Sequence, residues 1–150
     1  VSGMYPRIPD IKCSLQQHGK LHLRCYGSSM LPAILPGDEL SFLPVQSCTA
    51  LAIGNIVVLQ REQRIFVHRL VSRTATGWIT RGDSLQQDDP AVFDIDILGV
   101  LVAQFRNGQR IPLRPLQQTR WAQLIRWLAA RSSLMRKIML YWPHLCLRLS

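Results

Sequence analysis

The sequence predicts a mainly β domain over residues 1–115, followed by a basic α-helical extension over residues 116–150. Three observations carry this reading. Between residues 20 and 114, short apolar runs are cut by turn signals roughly every 8 to 15 residues, the rhythm of antiparallel strands. From residue 116 the apolar period becomes that of a helix. The charge changes nearby: nine Lys/Arg and nine Asp/Glu lie up to Asp96, then nine Lys/Arg and no acid. A chain of 150 residues, 47% apolar and 18% charged, is long enough to bury a core and is not of disordered composition.

The elements follow in order. GKLHLRCY, residues 19–26, alternates in polarity and predicts a strand leading into the turn GSSMLPAILPGDEL, residues 27–40. Gly37-Asp38 after Pro36 marks the end of that turn, and Glu39 to Pro44 predicts the next strand. Gly54-Asn55 opens IVVLQR, a β-branched run that suits a buried strand. RIFVHRLVSR (64–73) and WITR (78–81) predict two more strands, separated by Thr76-Gly77. Gly82-Asp83 and a polar loop precede IDILGVLVAQF (95–105), a long apolar strand. Asn107-Gly108 then predicts a hairpin into RIPL.

In the extension, Trp121, Leu124, Ile125 and Leu128 keep helical spacing, and Met135, Ile138, Met139 and Trp142 repeat it. Ser132 or Ser133 is placed to cap a second helix, and Pro143 to stop it. Arg120, Arg126, Arg131, Arg136 and Lys137 occupy the other face. Such a cationic, Trp-containing stripe suits an anionic membrane surface. It equally suits packing on the β domain or on a partner. Nucleic acid is the disfavoured partner, because the segment is half apolar and no helix-turn-helix precedes the β region. Residues 1–26 hold no apolar run fit for a signal peptide, and no run of about 18 uncharged apolar residues predicts a membrane span.

Few residues are placed for chemistry. A serine hydroxyl needs a base to take its proton and a rigid turn to present it. Ser28 and Ser29, before Met30 and Pro32, offer such a turn. His68 lies inside an apolar strand, either as a satisfied core histidine or as a general base. Alternation puts Phe66, His68 and Leu70 on one face and Val67, Arg69 and Val71 on the other. Asp83, Asp88 and Asp89 in GDSLQQDD are either solvated loop acids or the group that orients an imidazole. The spacing lacks the alternating oxygen ligands of a calcium loop. Cys13, Cys25, Cys48 and Cys146 have no zinc-like spacing and read as free thiols, so no metal or other cofactor is expected.

The order of these pieces is more specific than any one of them. Ser-Met-x-Pro, Gly-Asp, Gly-Asn-Ile-Val-Val, His-Arg within a strand, and Gly-Asp with a second acid six residues on occur in sequence between about residues 25 and 104. This resembles the type I signal peptidase family and the related self-cleaving phage-repressor-type proteases. The resemblance implies their β-fold, with Ser29 as nucleophile. Most bacterial members carry lysine before the strand Arg. The endoplasmic-reticulum and archaeal branch carries histidine, as His68 does here. That branch implies Asp89 as the third catalytic member and Asp83 as a supporting group.

Two departures accompany the resemblance. The family's Ser-Gly-Ser-Met frame supplies a hydroxyl to the oxyanion, whereas here the frame is Gly27-Ser28-Ser29-Met30, leaving open whether Ser28 replaces it. Residues 1–26 do not read as the family's N-terminal membrane anchor, so the expectation is that the anchor was lost or trimmed, that this member works off the membrane, or that the C-terminal helices dock it. The expectation is therefore a serine endopeptidase that cleaves a leader or propeptide through an acyl-enzyme. A peripheral membrane association through the C-terminal helices is favoured over a cytoplasmic location. The alternative is a catalytically weak or inactive peptide-binding module with the same fold.

Overall fold

The computed structural model describes residues 11, 15, 17–45, 51–61 and 64–113. The described chain is mainly β. Seven strands form one antiparallel sheet: β1 (Leu21–Arg24), β2 (Glu39–Pro44), β3 (Ile56–Arg61), β4 (Arg64–Arg73), β5 (Trp78–Arg81), β6 (Ile97–Arg106) and β7 (Gln109–Ile111). Their spatial order is β1-β2-β6-β3-β4-β5, with β7 pairing β6 beyond the end of β3. The basic helices expected over residues 116–150 lie outside the described residues, as do Cys13, Cys48 and Cys146. No described helix is long and apolar enough to cross a membrane.

Two clusters fill the sheet's two faces. Val58 packs with Leu21, Met30, Ile34, Leu40, Phe42 and Leu101. Its neighbours Val57 and Leu59 join Leu70, Trp78, Val92, Ile97 and Val100 instead. That split is the two-residue period of a strand with both faces covered. In β6 the period breaks: the register passes from Val58↔Gly99 to Leu59↔Ile97, so Leu98 bulges and Ile97 and Val100 share a face.

Several strand ends differ from expectation for local reasons. β1 ends at Arg24 because Cys25 turns away, its N–H donating to the Asp38 carbonyl and its own carbonyl accepting from Gly37. β6 begins at Ile97 because residues Asp94–Asp96 make a 3-10 turn, in which the Asp96 carboxylate takes the Phe93 N–H at 3.2 Å. Asp94 reaches back to the Trp78 indole N–H at 2.8 Å.

The path β1 to β5 is open, yet its two ends meet. The loop after β5 bonds the loop after β1, Ser84 N–H to the Ser29 carbonyl at 2.9 Å. The sheet therefore curls far enough to bring the loops of its two edge strands together. That curl gathers into one place the residues singled out above.

Candidate active site

Ser29 sits in the excursion between β1 and β2. Gly37, at φ +96°, makes the return, a backbone region that suits glycine. Below it, Asp38 is 1% exposed and fully engaged. Its carboxylate accepts from Leu35 N–H at 2.8 Å, from Gln104 at 2.7 Å and from Arg106 through two bonds of 2.8 Å. Gln104 also donates to the Ala33 carbonyl at 3.0 Å. A buried carboxylate is tolerated only with such partners, and these bolt the excursion to β6. Directly after Ser29, Met30 is buried with Ile34 in the first cluster. Ser29 itself is half-buried and Ser28 exposed, so the turn is held from beneath and open above.

His68 lies in β4, opposite Val57 of β3, and is 4% exposed. Its Nε2 stands 3.3 Å from Ser29 Oγ, and its Nδ1 stands 2.5 Å from Asp89 Oδ2. An ionised carboxylate only accepts, so Nδ1 carries the hydrogen and Nε2 is left free to accept the Ser29 proton. Phe66, on the same face of β4, lies 5.9 Å from the imidazole, ring centre to ring centre. Arg61 lies over the Phe66 ring at 4.9 Å.

Asp89 is set by the loop that follows β5. Its N–H donates to the Thr80 carbonyl at 2.8 Å, folding the loop back on its own strand. The Thr80 hydroxyl donates to Oδ2 at 2.7 Å, and Arg61 Nη2 stands 3.7 Å from Oδ1. Burial pushes the Asp89 carboxyl up. The hydrogen bonds from His68 and Thr80 and the charges of His68 and Arg61 outweigh burial, and together they hold the carboxyl below its ordinary value.

Asp83, expected as a supporting group, binds Arg69 rather than His68. Both of its oxygens go to Arg69, at 2.9 Å from Nε and 2.7 Å from Nη2. Arg69 also donates to the Gly54 carbonyl at 2.7 Å. The pair is buried, with side-chain exposures of 6% and 1%. Arg69 follows His68 and points to the other face of the strand, so an acid that satisfies Arg69 is drawn away from the imidazole. Asp83 supports the site only through the backbone of residues 82–84.

That backbone abuts the nucleophile. A Cβ on Gly82 would stand 2.6 Å from the Ser29 carbonyl oxygen, so the approach requires glycine. Ser84, 1% exposed, donates its hydroxyl to the Ser28 carbonyl at 2.8 Å. Thr80, Ser84 and Arg61 were not apparent as site residues in the sequence, since each acts through a contact that no periodicity or motif spacing marks; Asp38 was marked only as the acid of the Gly37-Asp38 turn. A second Ser/His pair, His22 Nδ1 to Ser41 Oγ at 2.9 Å, joins β1 to β2. Ser41 is 1% exposed, which bars a substrate from its hydroxyl.

Among the described residues, no group of three or more His, Cys, Asp or Glu side chains is arranged to hold a metal ion. Compared with protein-family models and with curated protein sequences, the chain matches none.

Proposed function

We propose that this chain is a serine endopeptidase of the signal-peptidase type, with Ser29 as nucleophile, His68 as base and Asp89 as the group that orients His68. The observation that carries the reading is the unbroken relay Ser29 Oγ, His68 Nε2, His68 Nδ1, Asp89 Oδ2, at 3.3 and 2.5 Å, built from three separate loops and strands. A resting distance somewhat beyond the ideal range is common before substrate closes the site.

The chemistry follows from the relay. As Ser29 Oγ bonds to the scissile carbonyl carbon, its proton passes to His68 Nε2 and the carbonyl π pair moves to oxygen. Asp89 stabilises the imidazolium without taking its proton. Collapse of the tetrahedral species breaks the C–N bond, and the leaving amine takes the proton from Nε2. Water, deprotonated by the same nitrogen, then releases the acyl group. The oxyanion needs donors fixed beforehand, and among the described residues no acceptor takes the N–H of Ser29 or Met30.

The substrate class is a peptide with small residues before the cut, as the signal-peptidase resemblance implies. Association with an anionic membrane rests on residues 116–150 and belongs to the same proposal. The direct test is cleavage of a peptide carrying Ala at the two expected specificity positions. The native chain cleaves it and Ser29→Ala does not. Cleavage by Ser29→Ala removes Ser29 from the mechanism, and peptide binding without cleavage by the native chain favours the binding-module alternative.

A further inference from the structure

Ser84 is a buried polar residue beside the nucleophile that the relay does not use. It grips both peptide units that flank the nucleophile. Its hydroxyl donates to the Ser28 carbonyl at 2.8 Å, and its N–H donates to the Ser29 carbonyl at 2.9 Å. The first of these carbonyls shares a planar peptide with the Ser29 N–H, and the second with the Met30 N–H. The one cis bond described in this stretch is Leu31-Pro32, so both of these peptides are trans and each N–H points away from its carbonyl. Anchoring the two carbonyls on one side therefore turns the two N–H groups to the other. Those are the N–H groups that find no acceptor among the described residues.

The grip is rigid. Ser84 is 1% exposed, Gly82 lets the backbone approach the Ser29 carbonyl closely, and Asp83 between them is locked to Arg69. The Ser28 carbonyl also accepts from Leu31 N–H at 3.3 Å, a longer and weaker bond than that from Ser84. Hydrogen bonding to a carbonyl also polarises the amide, strengthening its N–H as a donor.

We infer that Ser84 is a positioning residue for an oxyanion site made by the Ser29 and Met30 N–H groups, holding both peptides so that these donors face the developing charge. The inference rests on the peptidase reading above. It supplies what the Gly27-Ser28-Ser29-Met30 frame lacks: the departure from the family frame is met by ordering backbone donors rather than by adding a side-chain donor.

The test compares Ser84→Ala and Ser84→Thr with the native chain on the Ala-containing peptide, and measures inhibition by a peptide boronate, which needs the oxyanion donors, beside binding of a shortened product peptide, amidated and ending one residue before the cut, which does not reach them. Ser84→Ala should lower kcat about 10- to 100-fold, less than the roughly 100- to 1000-fold of deleting an oxyanion donor outright. KM and product affinity should stay within about twofold, boronate affinity should fall in step with kcat, and the acid limb of the pH profile should not move. Ser84→Thr, which keeps the hydroxyl, should recover most of the rate. If Ser84→Ala does not fold, Ser84→Cys, of similar size but a poor donor, takes the same measurements. Native-like kcat and boronate affinity in the folded variant overturn the inference. So does an equal loss of product and boronate affinity, which marks general disruption. Failure of the native chain itself to cleave or to bind boronate overturns the peptidase reading instead.

Discussion

Thr80 and His68 converge on a single oxygen, Oδ2 of Asp89, the first at 2.7 Å and the second at 2.5 Å. The threonine hydroxyl fixes the carboxylate so that it faces the imidazole. Thr80→Val keeps the shape and removes one bond to a charged group, a loss on the order of 1.5–3 kcal/mol in stability. It should also lower kcat/KM about tenfold, since the freed carboxylate no longer holds one imidazole orientation. Chemical denaturation and steady-state kinetics read the two effects.

Asp89 gives a pH prediction of fixed sign. Its folded-state carboxyl lies below the ordinary 3.8, so it favours folding fully above that value and loses the contribution as pH falls through the lower folded value. Between pH 6 and pH 3 the native chain should therefore lose more unfolding free energy than Asp89→Asn. Urea unfolding at the two pH values measures the difference, and equal losses would contradict the pairing. At neutral pH the same variant should lose about 10⁴-fold in kcat, because an amide permits the wrong imidazole tautomer.

Asp83 should behave in the opposite way. Asp83→Ala strands a buried guanidinium, which typically costs about 3–5 kcal/mol. Its effect should appear chiefly as a lowered melting temperature, with the acid limb of the pH–rate profile unmoved in whatever fraction stays folded. A displaced limb would return Asp83 to the histidine.

Gly82→Ala tests the close approach of the two loops. A methyl placed 2.6 Å from the Ser29 carbonyl oxygen must push the nucleophile turn away. Overpacking of this kind costs about 1–3 kcal/mol. Labelling of Ser29 by a serine-directed probe should slow by more than the stability loss accounts for, and an unchanged labelling rate would contradict the contact.

Much of this arrangement was legible in the chain because alternation and turn chemistry are local. Strands 39–44, 56–61, 64–73 and 78–81 fall where period-two runs meet Gly-Asp, Gly-Asn and Thr-Gly turns. The choice between two acids was not local. Asp83 and Asp89 lie six positions apart in one loop, and their partners are decided by which face of β4 each reaches: Arg69 for one, His68 for the other. Alternation put those two side chains on opposite faces, yet both are buried, because each is satisfied by a carboxylate. The family resemblance pointed Asp89 to His68, whereas nothing in the sequence paired Asp83 with Arg69. Ser84 was still less visible, as its partners lie 55 and 56 positions away and depend on the curl of the sheet.

The central claim is that Ser29 is activated by His68. The most direct measurement is mass-spectrometric mapping of a fluorophosphonate adduct on the native chain and on His68→Ala at neutral pH. A single adduct on Ser29 is expected in the native chain, with a loss of labelling of about a thousandfold or more without the imidazole. An adduct on another serine, or undiminished labelling of Ser29 in His68→Ala, would contradict that claim.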